Sequence, residues 1–148
     1  MQIHIRVATQ DDVDTLFAIR TLVVQNYLSR EQMADLGITP QVLADRIQEA
    51  DCAWIAQVGG QPVAFSMVDL AEGEVFAMFV LQTHENLGLG RKLMAVAEAA
   101  LFELHDTLFL ITDGRDEVRA NGFYRRLGWS VVATAEGDDV RYEKSRKR

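Results

Sequence analysis

The stretch HENLGLGRKLMAVAEAALFEL, residues 84–104, constrains this chain more than any other. It sets two glycines one residue apart, a basic pair directly after them, and then apolar residues at helical spacing. A helix N-terminus leaves backbone N–H groups unpaired and gathers about half a positive charge. Glycine lets a phosphate approach that backbone closely, so a strand running into Gly-x-Gly and a helix makes an anion seat. Gly88 and Gly90 supply the bare backbone, and Arg91 and Lys92 add positive charge. A flexible turn that happens to contain glycines is the plain alternative.

The common phosphate motifs do not fit. A P-loop needs Gly-x4-Gly-Lys-Ser/Thr, and Lys92 is followed by Leu93. A dinucleotide fingerprint needs a third glycine where Leu93 stands again. Asp113 does end the next apparent strand, where a ribose-binding acid would sit, but three strands already precede this one.

The rest of the chain mixes strands and helices without strict alternation. IHIRVA is a first strand, and Thr9 caps a helix over residues 9–28 whose first turn is acidic. A second helix covers about 39–50, with Thr39 as cap and Pro40 at its first position. CAWIAQV, PVAFSMVDL and GEVFAMFVL are strands, and the glycine-led helix follows. TLFLIT is a strand, 117–127 a helix stopped by Gly128, and WSVVATA and residues 140–145 are closing strands. The order β-α-α-β-β-β-α-β-α-β-β gives an α/β (α+β) single domain over 1–148: a mixed sheet with helices on both faces.

Composition narrows the class of function. The net charge is −7, yet the tail RYEKSRKR, 141–148, carries +4 and leaves −11 for the remainder. That balance argues against nucleic acid and mildly favours a cationic partner, with the tail read as a frayed terminus. Cys52, the lone cysteine, lies in an apolar run, which excludes a Cys-based metal cluster and suggests a buried inert thiol. No apolar run is long enough to span a membrane, and MQIHIR does not begin a signal peptide, so a cytoplasmic protein is expected.

Two stretches carry a family resemblance. VLQTHENLGLGRKLMAVAE looks like the acyl-CoA pyrophosphate loop of the GNAT (Gcn5-related N-acetyltransferase) superfamily, Gln/Arg-x-x-Gly-x-Gly/Ala. ANGFYRRLGW, 120–129, resembles its second signature, Ala-x-x-Phe-Tyr-x-x-x-Gly-Phe/Trp. They stand in the expected order, separated by one strand. The resemblance implies a mostly antiparallel sheet of about six or seven strands and acetyl-CoA as cosubstrate, with no metal. It also departs from the pattern: Glu85 stands where the family has a cation or amide, and Glu117 where it often has Asn. Asn121 is a candidate replacement for that amide.

Acyl transfer then assigns roles by resemblance. The phosphates would rest on Leu87, Gly88, Leu89, Gly90, Arg91 and Lys92, and a side chain at either glycine would block them without unfolding the chain. Backbone at Phe79, Val80 and Leu81 would pair with the pantetheine arm and offer the N–H that steadies the thioester oxygen. Tyr124 matches the family's tyrosine acid for the departing thiolate; packing with Phe123, Leu127 and Trp129 is the alternative. Glu74, 14 residues before Gly88, matches a glutamate base. A carboxylate there would have a raised pKa, whereas a solvated strand end beside Glu72 is the plain reading. His84 ranks behind it.

The amine is the least legible part. The resemblance draws its walls from YLSREQMADLGITPQ and the final hairpin, where Glu31, Asp35, Asp69 and Glu72 could meet an ammonium group. The expected activity is transfer of an acetyl group from acetyl-CoA to a small-molecule or peptide amine by direct attack in a ternary complex. The alternative is a weakly catalytic module of this fold that holds acyl-CoA or a protein partner. Nucleic acid and membrane are not expected partners, and a homodimer is allowed.

Overall fold

A run of apolar side chains with almost no polar interruption needs cover on both faces, and β2 (Ala53–Val58) and β3 (Gln61–Asp69) have it. The computed structural model describes residues 2–22, 28–115 and 120–146. Its strands form one seven-stranded sheet in the order β1-β2-β3-β4-β5-β7-β6. The remaining strands are β1 (Ile3–Val7), β4 (Glu74–Val80), β5 (Thr107–Asp113), β6 (Ser130–Thr134) and β7 (Asp139–Ser145). Every neighbouring pair is antiparallel except β4 and β5.

Helices cover both faces. On one side α1 (Val13–Leu22) sets Leu16 and Phe17 against Phe65 and Met67, with α2 (Arg30–Asp35) and α3 (Pro40–Glu49) beside it. On the other, α4 (Leu89–Phe102) buries Leu93, Met94, Ala97 and Leu101, and the buried Ser66 hydroxyl donates to Leu93 O at 3.2 Å. α5 (Ala120–Arg126) packs on the α4 side and ends at Gly128, whose φ of +93° suits the left-handed cap.

Three local expectations change. The Thr9-capped segment opens as a 3-10 turn over Gln10–Asp12, because Asp12 accepts from the Thr9 N–H at 2.8 Å and from the Arg6 guanidinium at 2.7 and 2.8 Å. The wall segment holds a helix, α2: Ser29 accepts from the Gln32 N–H and Gln32 Oε1 from the Ser29 N–H, a reciprocal cap spelled Ser-x-x-Gln in the sequence. The tail is no frayed end through residue 146, since β7 lies between β5 and β6; residues 147–148 fall outside the described residues.

The feature that opens the molecule is a bulge in β4. Met67 pairs with Ala77 and Val68 with Val75, so Phe76 is one residue too many for β3. Such an insertion bends its strand and raises the twist. The parallel pairing of β4 with β5 holds only at Glu74 and Phe109, reinforced by the Phe109 N–H on Gly73 O at 3.0 Å. Beyond that point the two strands part.

A half-buried cluster ties the helices to the far strands. Lys144 Nζ donates to Glu98 Oε1 at 2.6 Å and to Leu127 O at 2.7 Å, while Trp129 Nε1 reaches Glu98 Oε2 at 3.2 Å. Removing one partner leaves a charge and an indole N–H unsatisfied, at a cost of about 2–3 kcal/mol. Glu98→Ala should therefore lower the melting temperature by roughly 5 °C or more, against a degree or two for Glu103→Ala on the exposed end of the same helix, as calorimetry would read.

Candidate functional site

The parting of β4 and β5 makes a cleft of about 1240 Å³. Val75–Val80 form one wall, Leu110–Asp113 the other, and the 84–92 loop with Phe123 and Tyr124 of α5 and Leu127 just after it closes the side. The cleft wall on β4 is main chain as well as side chain. Leu81 N–H donates to Val63 O at 2.9 Å, and Phe79 pairs with Phe65, so both use their N–H groups on β3. By the alternation of an extended strand, the N–H and C=O of Met78 and Val80 face the cleft instead. Of the three expected donors only Val80 faces the right way, and Met78 joins it.

At its upper end β4 runs into the glycine loop. Asn86 has φ +68° and Gly88 φ +78°, and Gly88 is the N-cap of α4. A left-handed residue followed by helical ones turns successive N–H groups to one side, a concave anion seat backed by the helix dipole. Arg91 and Lys92 are exposed at its rim, Leu89 is buried so that only its main chain can serve a ligand, and Leu87 packs against the core. Gly90 lines the cleft and also serves packing, since a Cβ there would lie 3.1 Å from Phe123 Cζ and 3.5 Å from the Met78 methyl. Its bareness lets α4, α5 and β4 close on one another.

Tyr124 lies on the side wall, 5.4 Å from Phe123 and 5.5 Å from Tyr142 between ring centroids. Burial, with Tyr142 beside it, pushes its hydroxyl up to about 12, so it keeps its proton at any physiological pH. The hydroxyl makes no hydrogen bond within the described residues and lines the cleft. Packing and access therefore coexist in one side chain.

Asn121 does not serve the cleft. Its amide donates to Asp113 O and Arg115 O, both at 2.9 Å, and its oxygen accepts from the Tyr142 hydroxyl at 2.8 Å. It is buried and fully committed, pinning the start of α5 to the end of β5. Asp113, placed in the sequence where a ribose acid would sit, is paired with Arg115, which holds its carboxyl below the usual range. Glu117 lies outside the described residues.

Glu74 sits at the closed end of the parting strands, opposite Asp69 on β3 and Phe109 on β5, and is not among the residues that line the cleft. It is half-buried, and burial first, then Asp69, raises its pKa, against the pull of Arg141 and Arg46. His84 lines the cleft with Nδ1 2.8 Å from the Thr83 hydroxyl. Cys52 is buried and its thiol is pushed up to about 11 by burial, too weak an acid to be a nucleophile. Among the described residues no helix is long and apolar enough to cross a membrane, and no three metal-ligating side chains are grouped.

Sequence reasoning passes over one residue of the site, Arg20. It lines the cleft from α1, with its guanidinium Cζ 4.2 Å from the Phe79 ring centroid. Its signal is present in the chain: LFAIRTL places a charge three and four residues after Phe17 and Leu16, on the stripe that the helix buries.

Comparison with known proteins bears on the family and the fold. The family model described as "Acetyltransferase (GNAT) domain" matches residues 49–131. The catalytic subunit NAA10 of the N-terminal acetyltransferase A complex of Arabidopsis thaliana is 26% identical over 151 aligned positions, covering 92% of this chain and 73% of that protein. The structure of PaiA N-acetyltransferase from Thermoplasma acidophilum with coenzyme A superposes with a TM-score of 0.78 at 18% identity, over 99% of this chain and 100% of that one. Arabidopsis thaliana Naa50, solved with the bisubstrate analogue CoA-Ac-MVNAL, gives 0.74 at 14% identity, over 99% and 100% of the two chains. At these identities the structural likenesses establish the fold.

The two glycines should respond differently to substitution. Gly88→Ala meets open space but forces an L-residue to φ +78°, costing about 1 kcal/mol. Gly90→Val presses on Phe123 and Met78, so it should cost more stability than Gly88→Ala, contrary to the expectation that it leaves folding untouched. Thermal melts beside acetyl-CoA titrations of both variants check this; equal melting temperatures would refute the packing role of Gly90.

Proposed function

The chain belongs to the GNAT acetyltransferase family and is an acyl-CoA-dependent N-acetyltransferase, and we propose that it acts by direct attack of a primary amine on acetyl-CoA in a ternary complex. The observation that carries this reading is the unpaired edge of β4, which leads straight to the helix N-terminus at Gly88. A ligand lying along that edge pairs its amide arm with strand main chain while its pyrophosphate reaches the N–H groups of the loop.

Each step then has a group of this chain to serve it. The pyrophosphate rests on the N–H groups of residues 87–92, with Arg91 and Lys92 at the rim. The N–H groups of Met78 and Val80 face the thioester oxygen, where negative charge gathers as the amine nitrogen bonds to the carbonyl carbon. Glu74 lies no more than about 13 Å along the strand from Met78, so it takes the amine proton through water rather than by contact. The C–S bond breaks as Tyr124 gives its proton to sulfur, and solvent carries the proton held by Glu74 back to Tyr124. Glu74 lies beyond the residues that line the cleft and Tyr124 lies on its side wall, so base and acid do not neutralise each other. The name of the NAA10 relative makes peptide N-termini a first class of acceptor to assay beside small amines.

Tyr124→Phe keeps both ring contacts and should lower turnover by roughly 10²-fold with little change in melting temperature. Unchanged turnover under conditions where chemistry limits the rate would return Tyr124 to packing alone.

Glu74 generates a pH prediction. Only its deprotonated form is a base, and its pKa lies above that of an ordinary glutamate. Turnover should therefore rise with pH through an inflection above the free-glutamate value and fall away below it. Glu74→Gln should flatten that limb and leave acetyl-CoA affinity intact. A variant that tracks the parent from about pH 5 to 9 would assign the proton to a water path or to His84.

A further inference from the structure

Arg20 holds a charge where the fold supplies nothing to balance it. Its Nη1 is buried without a hydrogen-bond partner, and no carboxylate among the described residues pairs with it. Burial pulls its pKa down and no acid pulls it back. Arg20 as a whole is half-buried, and a guanidinium with one nitrogen desolvated and unpaired is costly unless an anion meets it. The acids expected to greet a cationic acceptor lie elsewhere: Asp69 is 4.0 Å from Arg46, and Glu31, Asp35 and Glu72 are exposed.

Arg20 also marks a junction. Beside the cleft lies a second cavity of about 150 Å³, lined almost wholly by apolar groups including Leu16, Phe17, Met33 and Leu43. Both cavities share Arg20, Leu28 and the β4 residues Phe76, Ala77 and Phe79. An apolar recess of about this volume has room for a benzene-sized guest. A cation, an apolar cavity and a strand edge with free N–H groups thus meet at Phe79, between Glu74 and the glycine loop.

We propose that the acceptor is a free apolar α-amino acid: its carboxylate pairs with Arg20, its side chain fills the 150 Å³ cavity, and its amine faces the thioester on β4. An α-amino acid diverges these three groups from one carbon, as the three features demand. A peptide N-terminus offers a neutral carbonyl in place of the anion, and a decarboxylated amine offers nothing. This inference rests on the acetyltransferase reading of the same cleft, so its test is a binding measurement that does not need turnover.

Calorimetric titrations into protein saturated with desulfo-CoA, which lacks the sulfur and cannot react, compare L-leucine with L-leucinamide, isoamylamine and the dipeptide Leu-Gly. Leucine should bind at least tenfold tighter than the other three. Arg20→Met should erase that preference, leave acetyl-CoA affinity unchanged, and raise the melting temperature by a few degrees because an unpaired charge has gone. Ala77→Leu, which fills the cavity, should cost leucine tenfold or more while sparing L-alanine. Equal binding of acid, amide and peptide would overturn the proposal. So would an Arg20→Met variant that loses acetyl-CoA instead, making a cofactor phosphate the missing anion, or one that melts lower with the acid preference intact. Should leucine bind with this preference yet never be acetylated, the seat stands and the catalytic reading of the cleft fails alone.

Discussion

One extra residue in one strand opens the site. Phe76 has no partner of its own on β3, and the bend it imposes takes β4 away from β5 directly after their single pairing at Glu74 and Phe109. A parallel pair that stayed together would spend the inner edge of β4 on β5 and leave no cleft. Parted, the edge keeps the N–H groups of Met78 and Val80 for a ligand, while the other edge still pairs with β3 on both sides of the bulge. The strand thus stays rigid on one side and reactive on the other, which is what a positioned oxyanion donor requires.

The opposite wall, β5, pairs with β7 along its whole length, and committed polar groups hold its end. Asn121 spends its whole amide on Asp113 O, Arg115 O and the Tyr142 hydroxyl. Tyr142 in turn packs against Tyr124 at 5.5 Å, and Gly90 lets Phe123 close on α4. Tyr124 is therefore fixed by ring contacts on two sides while its hydroxyl stays open to the cleft. Residues that never touch a ligand decide where the one that does will point.

How much of this is legible in the chain depends on whether the signal is local. The glycine loop and its helix, the Thr39–Pro40 start and the Gly128 stop follow from backbone needs written at single positions, and the structure has all of them. Helix α2 is equally local, spelled by Ser29 and Gln32, but its six residues carry too little apolar pattern to stand out from a loop. The β4 bulge is not legible, since register depends on which partner lies opposite. For the same reason the family resemblance names Phe79 and Leu81 as donors beside Val80, and only their pairing to β3 turns them away. Asn121 misleads in the opposite sense: an amide near a loop motif suggests a ligand contact, whereas burial turns it inward.

The local costs in this fold converge on one place. Asn86 and Gly88 sit at positive φ, a strand edge goes unpaired, and Arg20 Nη1 is buried without a hydrogen-bond partner. Each lowers stability, and each is the kind of feature that persists where a ligand needs it. They also differ in what they ask for. Left-handed backbone at a helix N-terminus asks for phosphate, an unpaired strand edge asks for an amide-bearing chain, and a desolvated guanidinium asks for a second anion. The first two demands are met by one extended acyl-CoA molecule along β4. The third arises on the α1 side of the sheet, over Phe79, and points to a second molecule whose anion and amine approach the same strand from the face opposite α4.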